Sequence, residues 1–477
     1  MSDGGLKTVL ILLAGTLTLG CLLLLRPRYL ASASGLGGIL VAEIVLAAIC
    51  KYRQVFFPIL IAVFLWAGSS MPYHAAWLQG RWFVLTVGAV AGLAVYMKDG
   101  DHHFGTFHLV AFFCILAAVV SASVSAYPEE AVLKSMSLAL VFIYGAAGGR
   151  TSVSANHPEI FFRRLLVGTE AVTYLTAVSY WLFRWEIWGN PNSFGAIMGV
   201  GAVPLLLWGF LTAQKATRRC RLGFELILAM LLLMSSFARA GMAGATVSCL
   251  LVCIAVKQYR LLVKGLAAAV ALAVVIVMFV PLPEEAPRWH GSESISEMFL
   301  FKGKQGQGVF SSREGPWNQT WAVIKDNPWF GSGFGTSVTT DNLTRLALVH
   351  AHFDSRIGRE HGNSYLAIME WVGLLGVVPF YCLIGLMVMN VRRVFSWLRQ
   401  SGDIFSPAVP AAAIVAAGLV HAMFEDWMFA IGYYLCVFFW AMAFILVDVL
   451  HAAAATCANE IMMPVAEPQF LAAASGQ

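Results

Sequence analysis

The sequence predicts an all-α polytopic membrane protein, and three observations carry that prediction: an apolar composition, a succession of membrane-length apolar runs, and a bias of the positive charge in short loops toward alternate ones. Of 477 residues, 59% are hydrophobic and 12% charged. Mean hydropathy is +0.75. A soluble globular chain carries about twice that share of charge.

A helix needs ~17–25 apolar residues to cross a bilayer. Runs of roughly that length occupy 7–25, 30–50, 54–71, 80–97, 104–125, 133–149, 164–183, 193–213, 222–238, 241–256, 262–281, 363–390, 407–425 and 427–450. The expectation is therefore about 12–14 transmembrane helices. The runs on either side of Arg239 are short, and the Glu425-Asp426 pair interrupts the last two runs.

Loop charge orients these helices, because Lys and Arg beside spans stay in the cytoplasm. Lys51/Arg53, Lys98, Arg150/Arg163/Arg164, Lys215/Arg218/Arg219/Arg221, Lys257/Arg260/Lys264 and Arg392/Arg393/Arg399 fall in alternate loops, with Arg26 and Arg28 as the exception. The pattern places both termini in the cytoplasm. The predicted organisation is helices one to eleven over 1–281, one large periplasmic loop over 282–362, helices twelve to fourteen over 363–450, and a disordered Ala-rich cytoplasmic tail over 451–477. The net charge of +5 then reports topology and not a nucleic-acid partner. The first apolar run lacks a small-residue cleavage site and is expected to be a span, not a removable signal peptide.

Connections of about 80 residues are functional or separately folded. The 282–362 loop holds most of the polar chemistry: a short amphipathic helix over Gly315–Ile324, a stop at Asp326-Asn327-Pro328, the glycine turn Gly331–Gly335, and His361 at the mouth of the next apolar run. It has no cysteine and needs no disulfide. Cys249 and Cys253 share a helix face without nearby His or carboxylate ligands, and His350-x-His352 with Asp354 lacks a fourth ligand. No metal and no cofactor are expected. The glycine turn follows no strand of a βαβ unit, so it is expected to position the loop and not to cradle phosphate.

Three side chains stand out in the predicted external layer. Arg239 lies between two apolar runs, where an arginine either snorkels to headgroups or offers a planar fork to a phosphate oxyanion. Arg313 is either a surface arginine paired with Glu314 or a second such fork, and two arginines together suit a diphosphate. His361 is either a helix-start cap or a base for an incoming hydroxyl, its ordinary pKa of about 6.5 suiting proton transfer near neutrality. Glu43, Glu170 and Glu370 lie inside apolar runs, as in a transport path or in structural ion pairs.

The order of Asn190-Pro191-Asn192, Ser236-Phe237-Ala238-Arg239-Ala240-Gly241, Ser312-Arg313 with Trp317, Pro328 to Gly335, His361-Gly362-Asn363-Ser364-Tyr365-Leu366 with Glu370 and Gly373, and His421-Ala422-Met423-Phe424-Glu425 resembles the O-antigen ligase and polymerase superfamily of bacterial membrane glycosyltransferases. The resemblance covers about residues 190–430. It implies a GT-C-like fold in the inner membrane and metal-independent, inverting transfer of a glycan from undecaprenyl diphosphate to an acceptor sugar hydroxyl at the periplasmic face. It implies that Arg239 and Arg313 bind the diphosphate and His361 acts on the acceptor, with Asn363, Tyr365, Glu370 and Trp317 in support. The acceptor is a sugar on a lipid carrier or lipid A core, and other members of a polysaccharide assembly pathway are implied as partners. The span count leans to a polymerase of O-antigen or exopolysaccharide. An O-antigen ligase acting on lipid A core is the alternative within the class, and a transporter or flippase the alternative outside it.

Overall fold

A computed structural model describes residues 53–72, 74–98, 104–154, 157–265, 267, 271, 311–337 and 359–462. The predicted spans at 7–25 and 30–50, most of 262–281, and the residues Glu43, His350, His352 and Asp354 lie outside them. Among the described residues the chain is helical, without strands. Six of the described helices are long and apolar enough to cross a membrane, and three shorter apolar ones accompany them among the described residues.

In chain order the helices are α1 (Arg53–Ala67), α2 (His74–Lys98), α3 (Thr106–Ser123), α4 (Pro128–Ile143, continued by a wide π-type turn Tyr144–Gly149 and by Arg150–Ser154), and α5 (Pro158–Ala177 with the wide turn Val178–Leu182). There follow α6 (Pro191–Ala196, the wide turn Ile197–Ala202, then Val203–Thr212), α7 (Ala216–Ser235), α8 (Arg239–Ala255), α9 (Ser311–Asp326), α10 (Ser364–Ser401), α11 (Ala408–His421) and α12 (Tyr434–Met462). Local chemistry explains several starts. Pro128, Pro158 and Pro191 each occupy a first helical turn, where the missing N–H costs nothing. Asn190 caps α6 by accepting from the Ser193 N–H at 2.7 Å.

The chain departs from the predicted span boundaries in three places. The expected helix over 427–450 begins only at Tyr434, because Glu425 and Asp426 find cationic partners and hold residues 422–433 in an open turn. That helix also runs past Leu450 to Met462, into the segment expected to be tail. The twelfth predicted span extends to Ser401 and is broken at Gly373, whose φ of 67° is not helical.

The break explains the glycine turn. Gly331–Gly335 packs into the gap at Gly373, donating Ser332 N–H to Glu370 O at 2.9 Å and Gly333 N–H to Trp371 O at 3.1 Å. In return the N–H groups of Leu374 and Leu375 reach Pro328 O and Trp329 O at 2.7 and 3.2 Å. The turn thus satisfies the backbone that a broken helix exposes. A Cβ on Gly373 would lie 2.4 Å from Trp329 O.

Small residues bring α6 and α8 together. A Cβ on Gly195 would fall 2.1 Å from the Ala238 Cβ, and one on Gly199 2.3 Å from Gly241 O, the close approach that apolar solvent favours between helices. Further along the same small-residue face α8 meets α11, where Ser248 Oγ donates to Ala413 O at 2.9 Å. This packing carries the Arg239 end of α8 to the end of α11 that bears His421.

Candidate active site

The site forms where α8, α9, the segment 359–363, the start of α10 and the 422–433 turn meet. Arg239 is the first residue of α8, reached through a turn in which Phe237 takes a left-handed φ of 50° and Ser236 Oγ accepts from Ala238 N–H at 3.2 Å. Arg313 lies in the first turn of α9. The helices that carry the two arginines, α8 and α9, both pack against α10.

Arg313 does not pair with the adjacent Glu314. It donates to Glu360 through Nη1 and to Glu425 through Nη2. Glu360 is 62% exposed but Glu425 only 17%, so the second contact is the sheltered one. The Arg313 side chain also crosses the face of Gly362, where a Cβ would lie 2.9 Å from its Cδ. Trp317, one turn further along α9, donates its indole N–H to Gly362 O at 3.3 Å and so holds the same residue by its carbonyl.

His361 is buried and engaged at both ring nitrogens. Nδ1 lies 3.2 Å from Asp426 Oδ2, which also accepts the His361 main-chain N–H at 2.7 Å. Nε2 lies 3.0 Å from Ser337 Oγ and 3.3 Å from Glu370 Oε1. Burial works against a charged imidazole, yet the bonds to Asp426 and Glu370 and their charges outweigh it and raise the pKa above the ordinary histidine value. For Asp426, burial works upward but the bonds to His361 win, and its pKa falls below the usual carboxylate value.

Glu370 is fully buried and bound by Arg359, which also donates to Thr320 Oγ1 at 3.0 Å and to Pro316 O at 3.3 Å on α9. The acid is therefore half of a buried ion pair linking two helices. Glu170 likewise meets Arg221 at 3.2 Å. Asn363 is the cap of α10, accepting from Tyr365 and Leu366 N–H at 2.8 and 3.1 Å. Tyr365 donates to Leu419 O at 2.7 Å and so ties α10 to α11. Ser364 secures the acidic turn: its Oγ donates to Glu425 O at 2.6 Å and accepts Met428 N–H at 3.1 Å.

The structure brings together Arg313, His361, Trp317 and Glu370 from the sequence list, sets Arg239 at the start of α8, which packs against α10, and places Asn363 and Tyr365 beside them as a helix cap and an interhelical tie. Sequence reasoning missed Asp426, Glu425, Arg359, Glu360 and Ser337. A signal existed for the first pair: adjacent carboxylates between two apolar runs require cations nearby. Chemically, the site offers two guanidinium groups to an anion and an imidazole set between two carboxylates.

Residues 224–381 match a family model described as O-Antigen ligase. The matched stretch contains Arg239, Arg313, His361 and Glu370 and ends before the 422–433 turn. A search of curated proteins gave no match.

Proposed function

We propose, for a chain that belongs to the O-antigen ligase superfamily and so to the glycosyltransferase-like membrane enzymes of O-antigen pathways, that it transfers a glycan from undecaprenyl diphosphate to an acceptor sugar hydroxyl. The observation that carries the reading is Arg313 crossing Gly362 next to the buried His361, with Arg239 at the start of α8, a helix packed against α10. Undecaprenyl diphosphate is a good leaving group whose developing negative charge needs stabilisation, and two guanidinium groups provide it in a water-poor mouth. Glu360 and Glu425 occupy Arg313 meanwhile, their carboxylate oxygens standing where phosphoryl oxygens would bind. Donor binding exchanges one set of anionic oxygens for another.

His361 then orients the acceptor hydroxyl and takes its proton. In this reading the mouth faces the periplasm of the inner membrane, inversion follows from direct displacement, and no metal takes part. The polyprenyl chain stays in the bilayer while its diphosphate reaches the arginines. The acceptor is a sugar on a second lipid-linked glycan, with a lean to polymerase, or lipid A core for a ligase.

The test is transfer by purified protein in nanodiscs from a synthetic undecaprenyl-diphosphate oligosaccharide, with lipid A core in one reaction and donor alone in another. Laddered products on donor alone identify a polymerase, and a single addition to lipid A core identifies a ligase. Failure to release undecaprenyl diphosphate in either reaction overturns the reading and favours the transporter alternative.

A further inference from the structure

His361 is 1% exposed and Glu370 0%, and an ionisable ring out of water needs a partner in each of its charge states. The surroundings of His361 provide one for both. A carboxylate only accepts, so at the contact with Asp426 the proton belongs to Nδ1. Because the same Asp426 oxygen also takes the His361 main-chain N–H, ring and backbone are fixed together. Nε2 is left as the nitrogen whose proton can change.

When Nε2 is bare, the Ser337 hydroxyl donates to it across 3.0 Å, while Ser337 Oγ accepts from Trp371 Nε1 at 3.3 Å. When Nε2 is protonated, it donates to Glu370 Oε1, whose other oxygen is bound by Arg359. The charged groups facing the ring are therefore Asp426 from the 422–433 turn and Glu370 from α10, with Arg359 behind Glu370. The ring keeps a partner at each nitrogen whether or not Nε2 carries the proton. A histidine serving only as a cap has no use for a donor to the bare Nε2 and a separate acceptor for the protonated one.

We propose that Asp426 is a positioning residue: by holding the His361 proton on Nδ1 it makes Nε2 the atom that receives the acceptor's proton, and Glu370 balances the imidazolium so formed. The proposal rests on the glycan-transfer reading and deepens it. The acceptor oxygen forms a bond to the anomeric carbon as the bond from that carbon to the diphosphate oxygen breaks. The electron pair of the broken bond leaves on the diphosphate beside Arg239 and Arg313. The hydroxyl proton moves to Nε2, with the acceptor hydroxyl in the place that Ser337 Oγ holds.

Two measurements test this. The first is the pH dependence of kcat for full-length wild type and Asp426→Asn in nanodiscs. The expected result is a loss of kcat of about 100-fold with the KM for donor little changed, a rising limb displaced to lower pH because one carboxylate no longer favours the imidazolium, and partial recovery in Asp426→Glu. A limb that stays where it is in Asp426→Asn overturns the proposal. The second is ¹⁵N NMR of histidine-labelled wild type, with the His361 signals assigned by their loss in His361→Gln. Above the titration midpoint the remaining proton is expected on Nδ1, and a proton on Nε2 overturns the proposal. That experiment needs neither turnover nor a folded Asp426 variant, so it reads the Asp426–His361 pair even where the transfer assay fails and the glycan-transfer reading falls.

Discussion

The two ends of the helix bundle hold the same residue types in different company. At the mouth, His361 bonds through both ring nitrogens, and Arg313 and Arg359 each meet carboxylates. At the far end of α4 and α12, His108, Arg150, Asp448 and His451 gather near an apolar groove lined by Leu93, Tyr96, Phe104, Phe112 and Phe444. There His108 Nδ1 and Asp448 Oδ2 make no hydrogen bond among the described residues, and the His108 ring rests on Phe104, Phe107 and Phe444. Arg150 lies over the Tyr96 ring at 5.4 Å. The lesson is that polar residues in an apolar bundle do not by themselves make a reactive site. Where partners arrive from several chain segments, charge can move and remain compensated. Where aromatic rings take their place, the group is packed and not poised.

That contrast breaks most sharply at Arg313. Arg313→Ala is expected to reduce release of undecaprenyl diphosphate by about 10³-fold or more, and Arg313→Lys to remain poor because a point charge does not reproduce the planar fork. His361→Ala belongs in the same range. Purified, monodisperse variants of both that retain near-normal turnover would remove the mouth from the chemistry.

Next in size is Gly373→Ala, which tests whether the broken helix holds the site together. The backbone at Gly373, with φ of 67° and ψ of −177°, lies in a region essentially confined to glycine and costs an alanine about 1–3 kcal/mol. The added Cβ also meets Trp329 O at 2.4 Å and Gly331 N at 2.5 Å. The expected outcome is a lower thermal midpoint in detergent together with reduced transfer, since Glu370 and Trp371 immediately precede the break. An unchanged midpoint would show that the turn and the helix are not spliced as described.

A smaller effect comes from pH alone. Because Asp426 and Glu370 strengthen the hold of His361 on its proton, the neutral ring that accepts a proton appears only above the ordinary histidine range. Transfer by wild type should therefore rise with pH through a midpoint above about 6.5. A midpoint well below that value would separate the catalytic proton from His361. The smallest effect is expected at the far end: Asp448→Asn should change turnover by about twofold or less, or about 0.4 kcal/mol. A loss comparable to that at Arg313 would erase the distinction between the two ends.

Much of this was legible along the chain. The runs at 104–125, 193–213 and 241–256 anticipated α3, α6 and α8 closely, because helix formation in lipid follows from local hydrophobicity. The helix Ser311–Asp326 was visible as Gly315–Ile324, with its stop at Asp326-Asn327-Pro328. The glycine turn was recognisable as a turn, but not as the plug of a helix broken at Gly373. Glu425 and Asp426 were visible only as an awkward boundary between two apolar runs. Glu370 appeared as an isolated acid in an apolar run, since nothing local ties it to Arg359.

The sequence by itself determined that the chain is a helical membrane protein and that Arg239, Arg313 and His361 are the side chains to watch. Apolar runs and ionisable residues are local properties, and the cost of placing each in lipid is set residue by residue. Only the tertiary structure decided which carboxylate meets which cation. Arg313 reaches Glu425 across 112 positions and His361 reaches Asp426 across 65. Those pairings depend on α8, α9, α10 and α11 packing their ends together. In a low-dielectric mouth, the distances so fixed determine where each proton and each charge resides.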